Sequence, residues 1–171
     1  MGKGEILYAT KDQTCFIKLI GDIRYTAGLG FDSFIDSLFK NATLQDIFID
    51  LTETQSIDST NLGLLARIAR LLRRQSGHVP TLFSSQDSIN QLLRCMGFDE
   101  AFVLLFDNAD EPAPEHFEHV PTEQKDRQQM ATMMLEAHKT LMELNERNQA
   151  VFKNVVDMLS EELNDKNATP E

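Results

Sequence analysis

The stretch Asp50-Leu51-Thr52-Glu53-Thr54-Gln55-Ser56-Ile57-Asp58-Ser59-Thr60-Asn61-Leu62-Gly63 joins two different backbone patterns. It continues the apolar run that starts at Asp46, a compact segment of the kind that forms a buried central strand. It leads into Asn61 to Arg74, where Leu62, Leu65, Ile68, Ala69 and Leu72 recur at helical spacing. The polar residues from Thr52 onward read as a turn between them. Asp58, Ser59 and Thr60 all carry oxygens able to accept the free N–H groups at a helix start, so the helix is expected to begin at Ser59 or Thr60. Gly77 is the expected stop.

Working outward, Glu5 to Thr10 and Thr14 to Ile20 are short β-rich runs separated by Lys11, Asp12 and Gln13, the pattern of a hairpin. Thr26 to Phe39 takes a helical period. Downstream, Val79 to Phe83 reads as a strand, Gln86 to Met96 as a helix and Ala101 to Phe106 as a last strand. The order β-β-α-β-α-β-α-β implies crossover connections. The expected fold class is α/β, a small mostly parallel sheet with an N-terminal hairpin and covering helices.

Charge divides the chain. Residues 1–106 hold ten Lys/Arg against twelve Asp/Glu, and residues 107–171 hold six against fifteen, within a net charge of −11. An acidic surface repels phosphate backbones, so neither nucleic acid nor an anionic membrane is an expected partner. Residues 107–121 combine acids with prolines and read as a linker. Residues 122–171 read as a long amphipathic helix, unbroken from about Glu123 to Leu163 and reaching ~60 Å. Met130, Met134, Ala137, Leu141, Leu144, Asn148, Val151, Val155 and Met158 follow one another at alternating steps of four and three, a heptad seam with Asn148 as its one polar position. Three uses of this helix stand open: a homodimer through residues 123–163, docking on a partner, or packing on the chain's own domain.

No apolar run approaches the roughly 18 residues that span a bilayer, and Met1 to Tyr8 holds no secretory core, so a cytoplasmic location is expected. Cys15 and Cys95 lie in apolar patterns and read as structural thiols. Glu115-His116-Phe117-Glu118-His119 has metal-binding residue types but no converging ligands, so no metal is expected there. No Ser-His-Asp set, Cys-His set or carboxylate pair stands at a recognisable spacing. No catalytic residue and no cofactor is expected.

The sequence Ile57-Asp58-Ser59-Thr60-Asn61-Leu62-Gly63, continued by Leu64, Leu65 and Ile68, resembles the phosphorylation signature of STAS-domain anti-sigma factor antagonists. Gly21-Asp22-Ile23-Arg24-Tyr25 and the strand order are also similar to that family, over about residues 5–106. The resemblance implies a STAS fold and a switch without chemistry of its own. Ser59 would be the phospho-acceptor, with Ser56 as runner-up. Asp58, Ser59 and Thr60 would shape the partner surface, and Arg67 and Arg70 would extend it toward an acidic partner. The implied partners are an anti-sigma factor, or a serine kinase or phosphatase regulator; those enzymes would carry the ATP and metal ions. The helical extension departs from the minimal family pattern and resembles the two-part gammaproteobacterial antagonists of the HsbA and CrsA kind. Alternative outputs are a signalling enzyme of motility or biofilm reached through the C-terminal helix, or a non-switching STAS subunit of a transport complex.

Overall fold

The computed structural model describes residues 3–106 and 114–168, with side chains through residue 165. Strands β1 (Glu5–Lys11) and β2 (Thr14–Ile23) form the expected antiparallel hairpin. Helix α1 (Phe31–Asn41), β3 (Asp46–Ile57), α2 (Ser59–Ser76), β4 (Thr81–Phe83), α3 (Asp87–Cys95), the short α4 (Phe98–Ala101) and β5 (Val103–Leu105) follow. Strands β2 to β5 pair in parallel, and the sheet order is β5-β4-β3-β2-β1-β6. The α/β class is as the strand and helix periods require. α1 begins later than its apolar period suggests, because Gly30 takes a left-handed φ of 96° immediately before it.

Strand β3 is the largest departure from the sequence reading. It does not end at Leu51 but runs to Ile57, so most of the expected polar turn is strand. The reason is that β2 also lengthens. Gly21 pairs with Thr54 past one register shift, and Asp22 with Ser56 and Ile23 with Ile57 past a second. Within this extension Thr54 is fully buried and donates its Oγ1 hydrogen to the Leu19 carbonyl at 2.8 Å, which satisfies a polar group that alternation alone would place outward.

Residues 107–113 of the expected linker lie outside the described residues. Beyond them, Glu118–His119 forms β6, which pairs antiparallel with β1, and Val120 is buried. The segment that resembled a weak metal motif thus lengthens the sheet, and Tyr8 donates its hydroxyl hydrogen to Glu118 Oε2 at 2.9 Å.

The C-terminal segment is helical but not one rod. Helix α5 (Arg127–Met142) and the longer α6 (Glu146–Ala168) are separated at Glu143-Leu144-Asn145 and pack on each other. No Gly or Pro marks the break. Instead Asn145 caps α6, its Oδ1 accepting from the Asn148 amide at 2.8 Å, while Glu143 and Leu144 close the last turn of α5. Asn148, 1% exposed, does not register a coiled coil. Its Nδ2 donates to the Leu141 carbonyl at 2.8 Å and to the Met96 carbonyl at 2.9 Å, tying the α5–α6 hairpin to the end of α3. The heptad seam is divided: Ala137 and Leu141 are buried within the chain, whereas Val151 and Met158 are 53% and 65% exposed. Among the described residues, no helix is long and apolar enough to cross a membrane.

Helix α2 is covered on two sides. Leu62, Leu65, Ile68 and Leu72 join the core with β2 and β3 residues, while Gly63 meets α5. Ten of its eighteen residues are buried, which is the mark of a helix sandwiched between layers.

Candidate functional site

The junction between β3 and α2 is tightly built. The Asp58 amide donates to the Ile23 carbonyl at 3.0 Å, which ends the strand pairing. Asp58 is the N-cap of α2, with extended φ and ψ of −84° and 168°. Its Oδ1 accepts from the Asn61 amide and from Asn61 Nδ2, both at 2.9 Å. Ser59 is therefore the first helical residue, beside backbone N–H groups that have no partner within the helix and at the positive end of its dipole. Thr60 turns inward and is 4% exposed, so it belongs to the interior and not to an accessible surface.

Ser59 does not project freely into solvent. Its Oγ lies 2.8 Å from Nε2 of His138, on α5. The other ring nitrogen, Nδ1, lies 2.6 Å from the Met134 carbonyl oxygen, which can only accept. In the neutral ring Nδ1 thus carries the hydrogen, and Ser59 donates its hydroxyl hydrogen to Nε2. His138 is 6% exposed and has the Phe152 ring edge-on at 5.3 Å. One turn along α2, a Cβ placed on Gly63 would stand 2.2 Å from the Ala137 carbonyl oxygen, so the α2 and α5 backbones are in direct contact.

Ser56 is in a different setting. It is exposed near the end of β3 and donates to Asp22 Oδ1. Together with the Arg24 guanidinium, 2.7 Å from Asp22 Oδ2, this bond holds the Asp22 carboxyl below its ordinary range, the Ser56 contribution being the larger. Asp22, Arg24, Tyr25, Ser56 and Asp58 line a shallow depression of about 340 Å³ beside the helix start.

The basic ridge of α2 is engaged within the chain. Arg67 pairs with Asp36 of α1, and Arg70 Nη1 lies 3.2 Å from Glu143 Oε2 at the end of α5. A polar cleft of about 540 Å³ opens between α1, α2 and α5, lined by Asp32, Asp36, Arg67, Arg70, Lys125 and Glu136 among others. At its rim Lys125 Nζ is 3.0 Å from Asp32 Oδ2. Both arginines thus sit beside Ser59's helix face, but with partners other than the expected external one. His138 was invisible to sequence reasoning, because it lies 79 residues from Ser59. Its only local signal is a polar residue next to Ala137 in an otherwise apolar stripe.

The two cysteines also differ. Cys15 is fully buried and burial pushes its thiol up to about 12, as a structural thiol requires, whereas Cys95 is exposed.

The STAS domain family matches residues 5–111, which span β1 to β5, α1 to α4 and the whole β3–α2 junction. The chain belongs to the STAS domain family. Among solved structures, an anti-sigma factor antagonist from Mycobacterium paratuberculosis shares 18% identity with a TM-score of 0.53, over 63% of this chain and 89% of that one. The anti-sigma factor antagonist SpoIIAA in its unphosphorylated form shares 14% identity with a TM-score of 0.53, over 60% and 89%. At these identities the likeness is one of fold. Comparison with curated protein sequences finds no match. β6, α5 and α6 lie beyond the matched residues, so the group that covers Ser59 comes from outside the STAS domain.

Proposed function

We propose that this chain is a phosphorylation-controlled anti-sigma factor antagonist that binds an anti-sigma factor, or the kinase or phosphatase regulating it, when Ser59 is unphosphorylated. The observation that carries this reading is the place of Ser59: first residue of α2, directly after the Asp58 cap, within a STAS domain. A phosphate there brings a charge of about −1.5 to −2 to amides that can hold it without refolding the domain. A partner fitted to a neutral hydroxyl then meets a dianion beside Asp58. A loss of ~3–5 kcal/mol of binding corresponds to roughly two to four decades of affinity. Ser56 is the weaker acceptor, since its phosphate would crowd Asp22, whose carboxylate already holds the Ser56 hydroxyl. The hairpin beyond the domain supports the likeness to two-part gammaproteobacterial antagonists of the HsbA and CrsA kind. Phosphopeptide mapping of the wild type, Ser59→Ala and Ser56→Ala after incubation with the co-expressed serine kinase tests the assignment. Phosphate retained in Ser59→Ala at wild-type level refutes it.

A second reading keeps the switch but routes its output through α6, toward a signalling enzyme. It is favoured by Val151 and Met158, seven residues apart and exposed on one helix face. A Val151→Glu, Met158→Glu chain that keeps its partner unchanged excludes it.

A further inference from the structure

We propose that the α5–α6 hairpin is a releasable cover on the Ser59 face of the STAS domain, and that a docked hairpin and a phosphoryl group on Ser59 exclude one another. This rests on the reading of Ser59 as phospho-acceptor. The geometry leaves no room for both. With Oγ and His138 Nε2 2.8 Å apart, no atom fits between them. Nε2 has no hydrogen in the neutral ring and so cannot bond a phosphoryl oxygen, and in a protonated ring that bond would set Oγ and Nε2 roughly 3.5–5 Å apart, given charge-assisted bonds of about 2.7–2.9 Å. The imidazole has little freedom to retreat. Its Nδ1 is bonded to the Met134 carbonyl, and Phe152 stands edge-on to the ring. Helix α5 cannot shift toward α2 to compensate, because Gly63 and Ala137 already touch through backbone atoms. A phosphate rotated away from α5 would instead strip His138, 6% exposed, of its Nε2 partner.

The rest of the interface has a weak polar rim around a buried apolar centre. Its outer contact is the Arg70–Glu143 pair, with side chains 32% and 59% exposed, and a polar cleft of about 540 Å³ opens beside it between α1, α2 and α5, while Met133, Leu135, Ala137 and Leu141 bury the apolar side of α5. Exposed pairs of this kind hold weakly. The Asn148 bond to the Met96 carbonyl anchors the α6 side independently of Ser59, so the cover has a second point of attachment to the STAS domain. In the closed form a kinase cannot reach Oγ in line. Once the cover lifts, Oγ bonds to the γ-phosphorus of a nucleoside triphosphate, the bond to the nucleoside diphosphate breaks, and the hydroxyl proton passes to the kinase's base. The phosphate then keeps the cover off. In the unphosphorylated chain the face of α2 around Gly63 admits a helix at backbone contact, so an outside partner and the hairpin compete for it, and a phosphate on Ser59 disfavours both.

The test uses the full chain with phosphoserine installed at position 59 during translation, which needs no kinase. Hydrogen exchange followed by mass spectrometry compares it with unmodified protein, Ser59→Ala and Ser59→Asp. The expected result is exchange at least tenfold faster across α5 and α6 in the phosphoserine chain, a smaller rise in Ser59→Asp, little change in Ser59→Ala, and unchanged protection of β2 and β3. Helices as protected as in the unmodified chain overturn the proposal. Equal acceleration of sheet and hairpin overturns it too, because the phosphate would then unfold the domain instead of undocking its cover. Kinase mapping reports on Ser59 as acceptor independently of this result, so failure of that assignment and failure of the cover are told apart.

Discussion

Replacing Gly63 with alanine gives opposite signs depending on whether α5 is docked. In an isolated helix the change stabilises by about 1 kcal/mol, because glycine carries the larger backbone entropy. In this fold the new Cβ would stand 2.2 Å from the Ala137 carbonyl oxygen, 2.6 Å from its carbonyl carbon and 2.7 Å from its Cβ. Ordinary contact lies near 3.5–4.0 Å, so α5 must back away by roughly 1 Å. Overpacking of this kind costs about 1–3 kcal/mol. The shift also breaks the 2.8 Å Ser59–His138 bond, worth ~0.5–1.5 kcal/mol. Set against the helix gain, the net is a destabilisation of about 2 kcal/mol, which for a chain of this size lowers Tm by roughly 4–8 °C. Thermal and urea unfolding of Gly63→Ala beside wild type read it directly. A variant as stable as the wild type, or more so, would refute the close packing of α5 on α2.

Asn148→Leu likewise separates two structures. At a coiled-coil seam it would stabilise the helix pair, but here it takes the Asn148 donor from the Met96 carbonyl and leaves the Leu141 carbonyl only its bond from the Leu144 amide, and a loss of about 1–3 kcal/mol is expected in urea unfolding. Alkylation of the native protein should modify Cys95 quickly and Cys15 only on unfolding, as peptide mass mapping would show. The depressed Asp22 carboxyl contributes stability that is in place above the ordinary Asp value of 3.8 and is lost as pH falls through the lower folded value. Ser56→Ala should move the Asp22 titration, followed by carboxyl NMR, back toward the ordinary value.

The core of the fold is legible because it follows local periods. The hairpin, the α2 stripe of Leu62, Leu65, Ile68 and Leu72, and the glycine stop at Gly77 are written in short windows of sequence. The errors fall where pairing overrides composition. Thr52 to Ser56 are polar enough for a turn, yet the lengthened β2 supplies ladder bonds and holds them as strand. β6 is two residues long and exists only because the β1 edge is there to receive it. The C-terminal seam keeps its period across Asn145 although Val151 and Met158 in its α6 half lie exposed, so spacing alone does not reveal the reversal of direction.

The chain's own sequence determined the strand-to-helix junction at Ser59: a β-rich run, an aspartate able to cap, and a helical stripe are all local preferences of neighbouring residues. Only the tertiary structure decided what faces that hydroxyl. His138 reaches Ser59 because α5 comes to rest on the glycine of α2, a contact between segments some seventy-five residues apart that depends on shape and not on any nearby pattern. Local propensities set where the acceptor serine stands, and long-range packing sets whether it is open or closed.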